Sequence, residues 1–481
     1  MDYEEKKNYI LNVLKITPMW ASNNIGQNQI IYNHREDYYD LKKSIDRFLS
    51  EDSDSRFYIL PGLRGVGKTT IIFQLYKYLT EERNIHQNQV LYLDLDRLKD
   101  NGEFNLLDFL DIFIKDINEE SYLNNNPLFI FIDESQYAKN WDHVGKIIYD
   151  GFKKVFIIFT GSDALNLLSS FDSARRSLKK EIYPLNFAEY INLKYRCGMP
   201  KGISDSLYKL IFTGDITDAR NIEKKIELYT YNNFRRDINK IWQDYVQYGG
   251  FPSSFNRNNT SIIQLTLDMK NRMIEKDLDI VSSFNSQTRA SAYKLLNMIA
   301  LQKPGSLSLD KLAKNMKISK KTIDNLLSSL EATQVIFHIE PYGSVTKRNR
   351  HAWEYYFLST QMKACIYQNS GQASQTTNEY MGILSENLVA SLLFMMKNKR
   401  KQDFSIFFDP RKEGNVDFLI NTVMGDIIPI EVGYGKKKKG QIKSAMKRYN
   451  SEYGIVVSNS RERITKEDDV IFVPLRTFSM L

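Results

Sequence analysis

The sequence predicts an α/β fold in which the strands of a parallel sheet alternate with helices. Apolar runs at residues 56–60, 90–94, 128–133 and 155–160 have the length of strands, and amphipathic, helix-like segments separate them. This alternation is typical of a parallel sheet with crossover helices. Hydrophobic residues make up 42% of the 481 residues, enough for about three domains of an ordinary soluble protein.

Sequence patterns divide the chain into five segments. They are an N-terminal arm leading into a helix (1–55), the alternating strands and helices (56–195), a mostly helical part (196–285), a helix-turn-helix pattern with a short strand pair (286–360), and a small α/β unit (361–481).

The composition indicates which kinds of partner the protein could bind and in which cellular compartment it is expected. The net charge of +8 fits a nucleic-acid partner, because clustered Lys and Arg release counterions from phosphates, and it fits a basic soluble protein almost as well. Cys197 and Cys365 make neither a disulfide framework nor a zinc site. No apolar run approaches the ~20 residues that cross a bilayer, and no secretory signal is visible. We therefore expect a cytoplasmic protein without a membrane partner.

Residues 62–69, GLRGVGKT, follow a strand and open a helix, as a phosphate-binding loop requires. The glycines let backbone N–H groups point at phosphate oxygens, and the helix N-terminus adds partial positive charge. Lys68 is expected to contact the β- and γ-phosphates of ATP, and Thr69 to bind Mg²⁺. The predicted nucleotide-binding residues are Gly62, Arg64, Gly65, Val66, Gly67, Lys68, Thr69 and Thr70.

Residues at the ends of two later strands are predicted to bind the metal ion and to assist hydrolysis. The apolar run before Asp133 and Glu134 brings both carboxylates to the sheet edge that carries the phosphate loop. Asp133 is predicted to bind Mg²⁺, and Glu134 to orient or deprotonate the attacking water. The next strand ends in Thr160, whose hydroxyl is predicted to touch the γ-phosphate or the water. An ordinary Thr-Gly-Ser turn is the alternative for Thr160.

The order of these motifs resembles the AAA+ superfamily. More narrowly, LPGLRGVGKTT, FIDESQ, TGSDALNL and YPLNFAEY are similar to the prokaryotic AAA-family ATPases that carry a C-terminal domain of the DUF4143 type. The resemblance implies an AAA+ nucleotide-binding domain at 56–195, a helical lid at 196–285 and a homo-oligomer. The family usually has Pro after the first loop glycine, where this chain has Leu63.

Arg176 falls where the family has an arginine shortly before the YPLNF segment. AAA+ proteins use such an arginine to reach the γ-phosphate bound to a neighbouring subunit, where it stabilises the transition state. The resemblance thus implies a catalytic role for Arg176. A surface charge cluster with Lys179 and Lys180 is the alternative.

A helix-turn-helix pattern precedes residue 335. Apolar residues at helical spacing predict a second helix with a buried stripe at Ile323, Leu326, Leu327 and Leu330, capped by Ser319. The opposite side carries Lys320, Lys321, Thr322 and Asn325, which suit DNA phosphates and base edges. Residues 335–339 are predicted to be the wing of a winged helix. A lid that contacts only protein is the alternative.

The last segment is similar to the restriction-endonuclease-like, PD-(D/E)xK, domains that end many family members. The match runs through GILSENLV at 382–389, NVDFL at 415–419 and PIEVG at 429–433, and it implies a Mg²⁺ site at Glu386, Asp417 and Glu431. Gly433 stands where the family has a lysine that positions the attacking water. We therefore favour a fold kept for binding DNA or a protein partner, since Lys436 would substitute only if the strand bends.

Together these patterns predict an AAA+ ATPase that uses ATP and Mg²⁺ and couples hydrolysis to oligomer assembly or to action on DNA. One alternative is an ATP-gated, metal-dependent nuclease. Another is a regulator or scaffold that binds ATP and a protein partner without turnover. Glu134 argues against the last alternative, because binding alone needs no base.

Overall fold

A computed structural model describes the chain except residues 28–29, 52, 163–174, 234–236, 279–283, 303–304, 306, 351, 372–376, 401–403, 412 and 436–438. The described residues form two compact units, Met1–Tyr183 and Pro184–Leu481. Each unit contains its own main sheet. Within the described ranges, no helix is both long and apolar enough to cross a membrane.

The first unit alternates strands and helices. Its strands are β1 (Gly26–Gln27), β2 (Ile30–Ile31), β3 (Phe57–Pro61), β4 (Val90–Asp94), β5 (Leu128–Asp133), β6 (Val155–Gly161) and β7 (Leu178–Lys179). Its helices are α1 (Tyr3–Asn24), α2 (Glu36–Ser50), α3 (Lys68–Lys77), α4 (Leu95–Leu98), α5 (Leu106–Asp111), α6 (Glu119–Leu123) and α7 (Trp141–Gly151).

The parallel sheet predicted from the apolar runs is confirmed. Its strands lie in the order β4-β5-β6-β3-β7, and every neighbouring pair is parallel. Strands β3, β5 and β6 are buried on both faces, which explains their unbroken apolar sequence. Their carboxyl ends meet at one edge, where ligands bind in open α/β sheets.

The first 24 residues differ from the predicted arm, because α1 is a long helix that belongs to the core of the unit. Ile10, Val13 and Leu14 pack with side chains of strands β3 to β6. Their spacing of three and four residues is that of an apolar helix face. Asp2 and Glu5 form a capping box at its start.

The predicted helix after the arm is α2, and it covers the opposite face of the sheet. The ring of Phe48 in α2 contacts the rings of Phe129 and Phe156, and the ring centroids lie 5.8 and 5.4 Å apart. These two residues alternate with Ile130 and Ile157, which face the α1 side. Both faces of the sheet are therefore covered, as a parallel sheet requires.

The second unit begins with helices and ends in a mixed sheet. Its helices are α8 (Phe187–Tyr195), α9 (Ile203–Thr213), α10 (Thr217–Asn233), α11 (Ile238–Tyr248), α12 (Asn259–Arg272), α13 (Ser286–Leu301), α14 (Leu309–Met316), α15 (Lys320–Ala332), α16 (Val345–Arg350), α17 (Thr360–Asn369), α18 (Asn378–Arg400), α19 (Lys439–Tyr449) and α20 (Leu475–Phe478). Its strands are β8 (Ile336–Pro341), β9 (Glu354–Phe357), β10 (Ser405–Phe408), β11 (Phe418–Asn421), β12 (Ile427–Gly433), β13 (Gly454–Ser458), β14 (Thr465–Glu467) and β15 (Val470–Pro474).

The predicted wing strand is β8, and its pairing joins the segments predicted at 286–360 and 361–481. Strand β8 pairs antiparallel with β9, as a wing hairpin would. It also pairs in parallel with β10, so one sheet runs in the order β14-β15-β13-β12-β11-β10-β8-β9. The hairpin is thus part of the C-terminal sheet, because β8 offers its second edge to β10.

Candidate functional site

The phosphate loop leaves β3 and curls back before α3. Gly65 and Gly67 have φ of +83° and +99°, a left-handed conformation that glycine adopts without strain. A Cβ on Gly62 would lie 2.4 Å from the carbonyl oxygen of Ile182, so only glycine fits there. The loop glycines singled out from the sequence are therefore required by the backbone itself.

Lys68 lies inside this curl and not on the surface. Its side chain is buried, and Nζ donates hydrogen bonds to the carbonyl oxygens of Gly62 at 2.6 Å and Leu63 at 3.1 Å. A buried ammonium is stable only with such partners. The loop therefore holds a positive charge at its centre, where an anion is expected to bind.

Asp133, at the end of β5, is the hub of the site. Its Oδ2 accepts a hydrogen bond from Thr69 Oγ1 at 2.7 Å and from Tyr92 Oη at 3.1 Å. Its Oδ1 accepts a hydrogen bond from Thr160 Oγ1 on the adjacent strand β6. The structure thus brings together three residues that the sequence predicted from separate motifs: Thr69, Asp133 and Thr160.

Glu134 follows directly, with a left-handed φ of +55°. Its Oε1 lies 3.4 Å from Arg64 Nη1, and its Oε2 accepts a hydrogen bond from Gln136 Nε2. Burial raises the pKa of Glu134, Arg64 and Lys68 oppose this rise, and neighbouring Asp133 adds to it. A carboxylate with a raised pKa is a stronger base than an ordinary one.

Several residues of the site were not found from the sequence. Tyr92 on β4 donates to Asp133, and burial together with Asp133 raises the pKa of its hydroxyl, so it remains a donor. Gln136 donates to Glu134, and its Oε1 accepts from the Ser162 backbone N–H at 3.3 Å. The FIDESQ segment contained Gln136, but nothing in the sequence around Tyr92 indicates its role.

The residues fit a nucleotide with Mg²⁺. The loop around Lys68 combines a buried positive charge with glycines that leave space for phosphate. Hydroxyl and carboxylate oxygens are ligands that Mg²⁺ prefers, and those of Thr69 and Asp133 are in contact. These two side chains are therefore the ones that would hold the metal ion.

Arg176 lies at the opposite edge of the sheet from the phosphate loop. Its Nε is 2.6 Å from Asp150 Oδ1, near the end of α7, just before β6 begins. The following strand β7 pairs in register with the first half of β3. Arg176 therefore lies away from the site of its own chain, and its contact with a neighbouring subunit stays a prediction.

In the second unit, α14 and α15 occupy the predicted helix-turn-helix positions. Ser319 caps α15 by accepting a hydrogen bond from the Thr322 N–H at 3.1 Å. The predicted stripe is buried, and the side chains of Lys321 and Asn325 are exposed. Lys320 forms an ion pair with Asp310 of α14. A DNA phosphate would have to compete with Asp310 for Lys320.

The three acids of the nuclease prediction lie on adjoining elements. Asp417, directly before β11, and Glu431, on β12, flank the paired residues Phe418 and Ile430. Asp417 Oδ2 accepts a hydrogen bond from the Val432 N–H at 2.6 Å. Burial raises the pKa of Glu386 well above its ordinary range, and Asp417 adds to the rise.

These acids do not fit a metal ion in this arrangement. Across the described part of the chain, no group of three or more His, Cys, Asp or Glu side chains is arranged to hold one. Lys436, the substitute considered for the missing lysine, lies outside the described residues. The nuclease alternative stays a prediction from the resemblance.

Three family descriptions match successive parts of the chain. The family described as "AAA domain" matches residues 54–191, and a "Domain of unknown function (DUF8612)" matches residues 239–364. A "Domain of unknown function (DUF4143)" matches residues 381–478. The first contains the phosphate loop, Asp133 and Thr160.

The chain is also similar to solved structures, at low sequence identity and low TM-score. The Aeropyrum pernix ORC2 protein in its ADP form is 11% identical, with a TM-score of 0.30 over 73% of this chain and 99% of that one. AMPPCP-bound DnaA from Aquifex aeolicus is 17% identical, with a TM-score of 0.25 over 62% of this chain and 89% of that one.

Relatives of higher sequence identity match most of the chain. The uncharacterized protein MJ1637 of Methanocaldococcus jannaschii is 32% identical over 474 residues, which cover 98% of this chain and 93% of the relative. A second protein of that organism, MJ1544, is 22% identical over 75% of this chain and 71% of its own length. With such a relative, and with an AAA domain followed by a DUF4143 domain, the chain belongs to the family of prokaryotic AAA ATPases that end in a DUF4143 domain.

Proposed function

We propose that this protein hydrolyses Mg²⁺-ATP in the first unit and couples hydrolysis to assembly of an oligomer or to action on DNA. The observation that carries the ATPase proposal is the hub at Asp133, which contacts Thr69 and Thr160 beside the buried Lys68. A binding protein without turnover would not need Glu134 next to this hub.

Each residue of the site has a role in this proposal. Backbone N–H groups of the loop and Lys68 bind and orient the phosphates, and Thr69 and Asp133 hold Mg²⁺. When bound, Mg²⁺ supplies charge neutralisation on the phosphate oxygens. Glu134 orients the attacking water and accepts its proton, and Thr160 contacts the γ-phosphate or that water.

Oligomer formation rests on Arg176. An arginine at the sheet edge away from its own phosphate loop is suited to act on the nucleotide of another subunit, where it would stabilise transition-state charge. Its ion pair with Asp150 would then have to open or turn during assembly.

Action on DNA rests on α15. Lys321, Thr322 and Asn325 lie on the side opposite the buried stripe, and the net charge of the chain is +8. These side chains suit phosphate and base-edge contacts. The alternative occupant of this surface is a protein partner.

The test is ATP turnover of the full chain with and without double-stranded DNA, with molecular mass followed in the same samples. Lys68→Ala and Glu134→Gln are the variants. Removal of Lys68 is expected to abolish ATP binding, and Glu134→Gln is expected to keep binding but lower turnover by at least about 100-fold.

The outcomes separate the parts of the proposal. Turnover that rises with DNA and appears only with the oligomer supports a DNA-engaged AAA ATPase. Turnover that is indifferent to DNA moves the proposal to a protein partner. No turnover in the unaltered chain contradicts the ATPase and leaves a nucleotide-binding regulator.

A further inference from the structure

Arg35 lies in the segment between β2 and α2, before residue 54, where the AAA match begins. Its side chain is only 3% exposed, although it carries a full positive charge. A buried guanidinium requires several hydrogen-bond acceptors to be stable. The acceptors of Arg35 therefore indicate what it holds in place.

Two of these acceptors are backbone carbonyls at the phosphate loop and beside it. Nη1 donates to the carbonyl oxygen of Val66 at 2.7 Å, and Nη2 donates to that of Tyr183 at 3.0 Å. The Val66 carbonyl belongs to the peptide group that continues into Gly67, one of the loop glycines with positive φ. Arg35 thus fixes the orientation of a peptide plane in the middle of the loop.

The guanidinium is itself held by an ion-pair network that begins at buried Asp37. Asp37 Oδ2 lies 3.5 Å from Arg35 Nη2, and Asp37 Oδ1 lies 3.4 Å from Lys180 Nζ. Lys180 also pairs with Asp40 at 2.6 Å, and its backbone N–H donates to Ile59 on β3. The network connects Asp37, at the start of α2, to Lys180, whose backbone is bonded to β3, the strand that leads into the phosphate loop.

We infer that Arg35 is a positioning residue of the ATP site, which sets the conformation of the phosphate loop from outside the recognised AAA domain. The inference rests on the proposed ATP site. The loop binds phosphates through N–H groups whose direction depends on the peptide planes, and a donor fork with fixed geometry can hold two carbonyls at once. Losing Arg35 is expected to weaken ATP binding without removing any phosphate-contacting group.

The experiment compares Arg35→Met, Arg35→Lys and the unaltered full-length chain. Equilibrium binding of a non-hydrolysable ATP analogue with Mg²⁺ is measured, together with KM and kcat for ATP and the thermal unfolding midpoint. Arg35→Met is expected to weaken analogue binding and raise KM by about 10-fold or more, because hydrogen bonds from charged groups are strong. Arg35→Lys is expected to lose less, since one ammonium keeps the charge near Asp37 but cannot reach both carbonyls.

Arg83→Met is the matched control. Arg83 is an arginine of the same unit that pairs with Asp46 and is 43% exposed, and it lies beyond the far end of α3 from the loop. Its loss is expected to change analogue binding by less than twofold. If Arg35→Met does not fold, Arg35→Lys provides the comparison, and equal binding by the folded Arg35 variant and the unaltered chain would overturn the inference.

Chemical rescue distinguishes positioning from a general loss of stability. Free guanidinium ion, far below denaturing concentrations, is expected to restore part of the binding to Arg35→Ala, because it fits the space left between the two carbonyls and Asp37. A variant that is merely destabilised would bind less well on addition of this denaturant, and that result would contradict the positioning role. If the unaltered chain binds no ATP analogue, the proposed function fails, which is distinct from failure of this inference.

Discussion

At the scale of single residues, the pair Arg64–Glu134 joins the phosphate loop to the proposed base. The two side chains are 18% and 21% exposed, so water screens their interaction only in part. Burial raises the pKa of Glu134, and Arg64 is the largest influence that lowers it. In the proposed mechanism, turnover requires the deprotonated carboxylate, so turnover should decline at low pH as Glu134 is protonated.

Arg64→Met is therefore expected to shift the acidic side of the pH–rate profile to higher pH. The sign follows because removing the cation raises the pKa of Glu134 further. The measurement is kcat at saturating ATP between pH 5 and 9, so that weaker binding does not enter. A profile that shifts to lower pH, or that shifts equally in Arg83→Met, would contradict the role of Arg64.

At the scale of secondary-structure elements, α1 forms where the sequence predicted an N-terminal arm. Leu14 is 2% exposed and packs in the core of the first unit, whereas Leu11 on the same helix is 45% exposed. Leu14→Ala is expected to lower the free energy of unfolding by about 2–5 kcal/mol. Leu11→Ala is the matched control and should change it by no more than about 0.5 kcal/mol. Urea denaturation measures both changes in the free energy of unfolding. Equal effects of the two substitutions would contradict the placement of α1 in the core.

Helix α15 carries the prediction on DNA. Lys321→Ala is expected to weaken double-stranded DNA binding and to reduce the slope of log affinity against log salt by about 1, because one phosphate contact is lost. Exposed Lys225 on α10 serves as the control lysine. A salt titration in which Lys321→Ala and Lys225→Ala behave alike would assign the surface of α15 to a protein partner.

At the scale of the whole molecule, each unit is built around its own sheet. In the second unit, the Tyr356 hydroxyl connects strand β9 to helix α18. Its Oη lies 2.9 Å from Glu354 Oε2 on β9 and 3.0 Å from Glu386 Oε1 on α18. Burial raises the pKa of Glu354 to about 7, with Asp417 adding to the rise and Tyr356 opposing it.

This pKa predicts how stability depends on pH. Because the folded pKa of about 7 lies above the ordinary value of 4.5, protonated Glu354 stabilises the fold fully below pH 4.5, and this contribution is lost as pH rises through 7. The loss is expected to be at most about 3 kcal/mol. Glu354→Gln should flatten the dependence and stabilise the unit at pH 8. Hydrogen exchange of β9 at several pH values measures this, with exposed Glu452→Gln as the control. An unchanged slope in Glu354→Gln would refute it.

Local patterns were sufficient for the central strands and for the sheet edge at which the predicted site residues lie. The predicted strand 90–94 matches β4, and the predicted strand 56–60 differs from β3 by one residue at each end. Lys68, Asp133 and Thr160, which the sequence predicts as site residues, lie at or after the carboxyl ends of apolar strands, and parallel strands end at one edge. In such a sheet, the position along the strand already determines where a side chain lies.

Long-range packing decided the rest. Nothing next to Arg35 or Tyr92 in the sequence indicates that their partners are Val66 and Asp133, since those contacts depend on how distant segments pack. The same holds for β8, whose second edge pairs with β10 and so joins the helix-turn-helix segment to the C-terminal sheet. Strand pairing uses backbone groups that every residue carries, so side-chain pattern predicts that a strand forms, and only the tertiary structure decides which strand it meets.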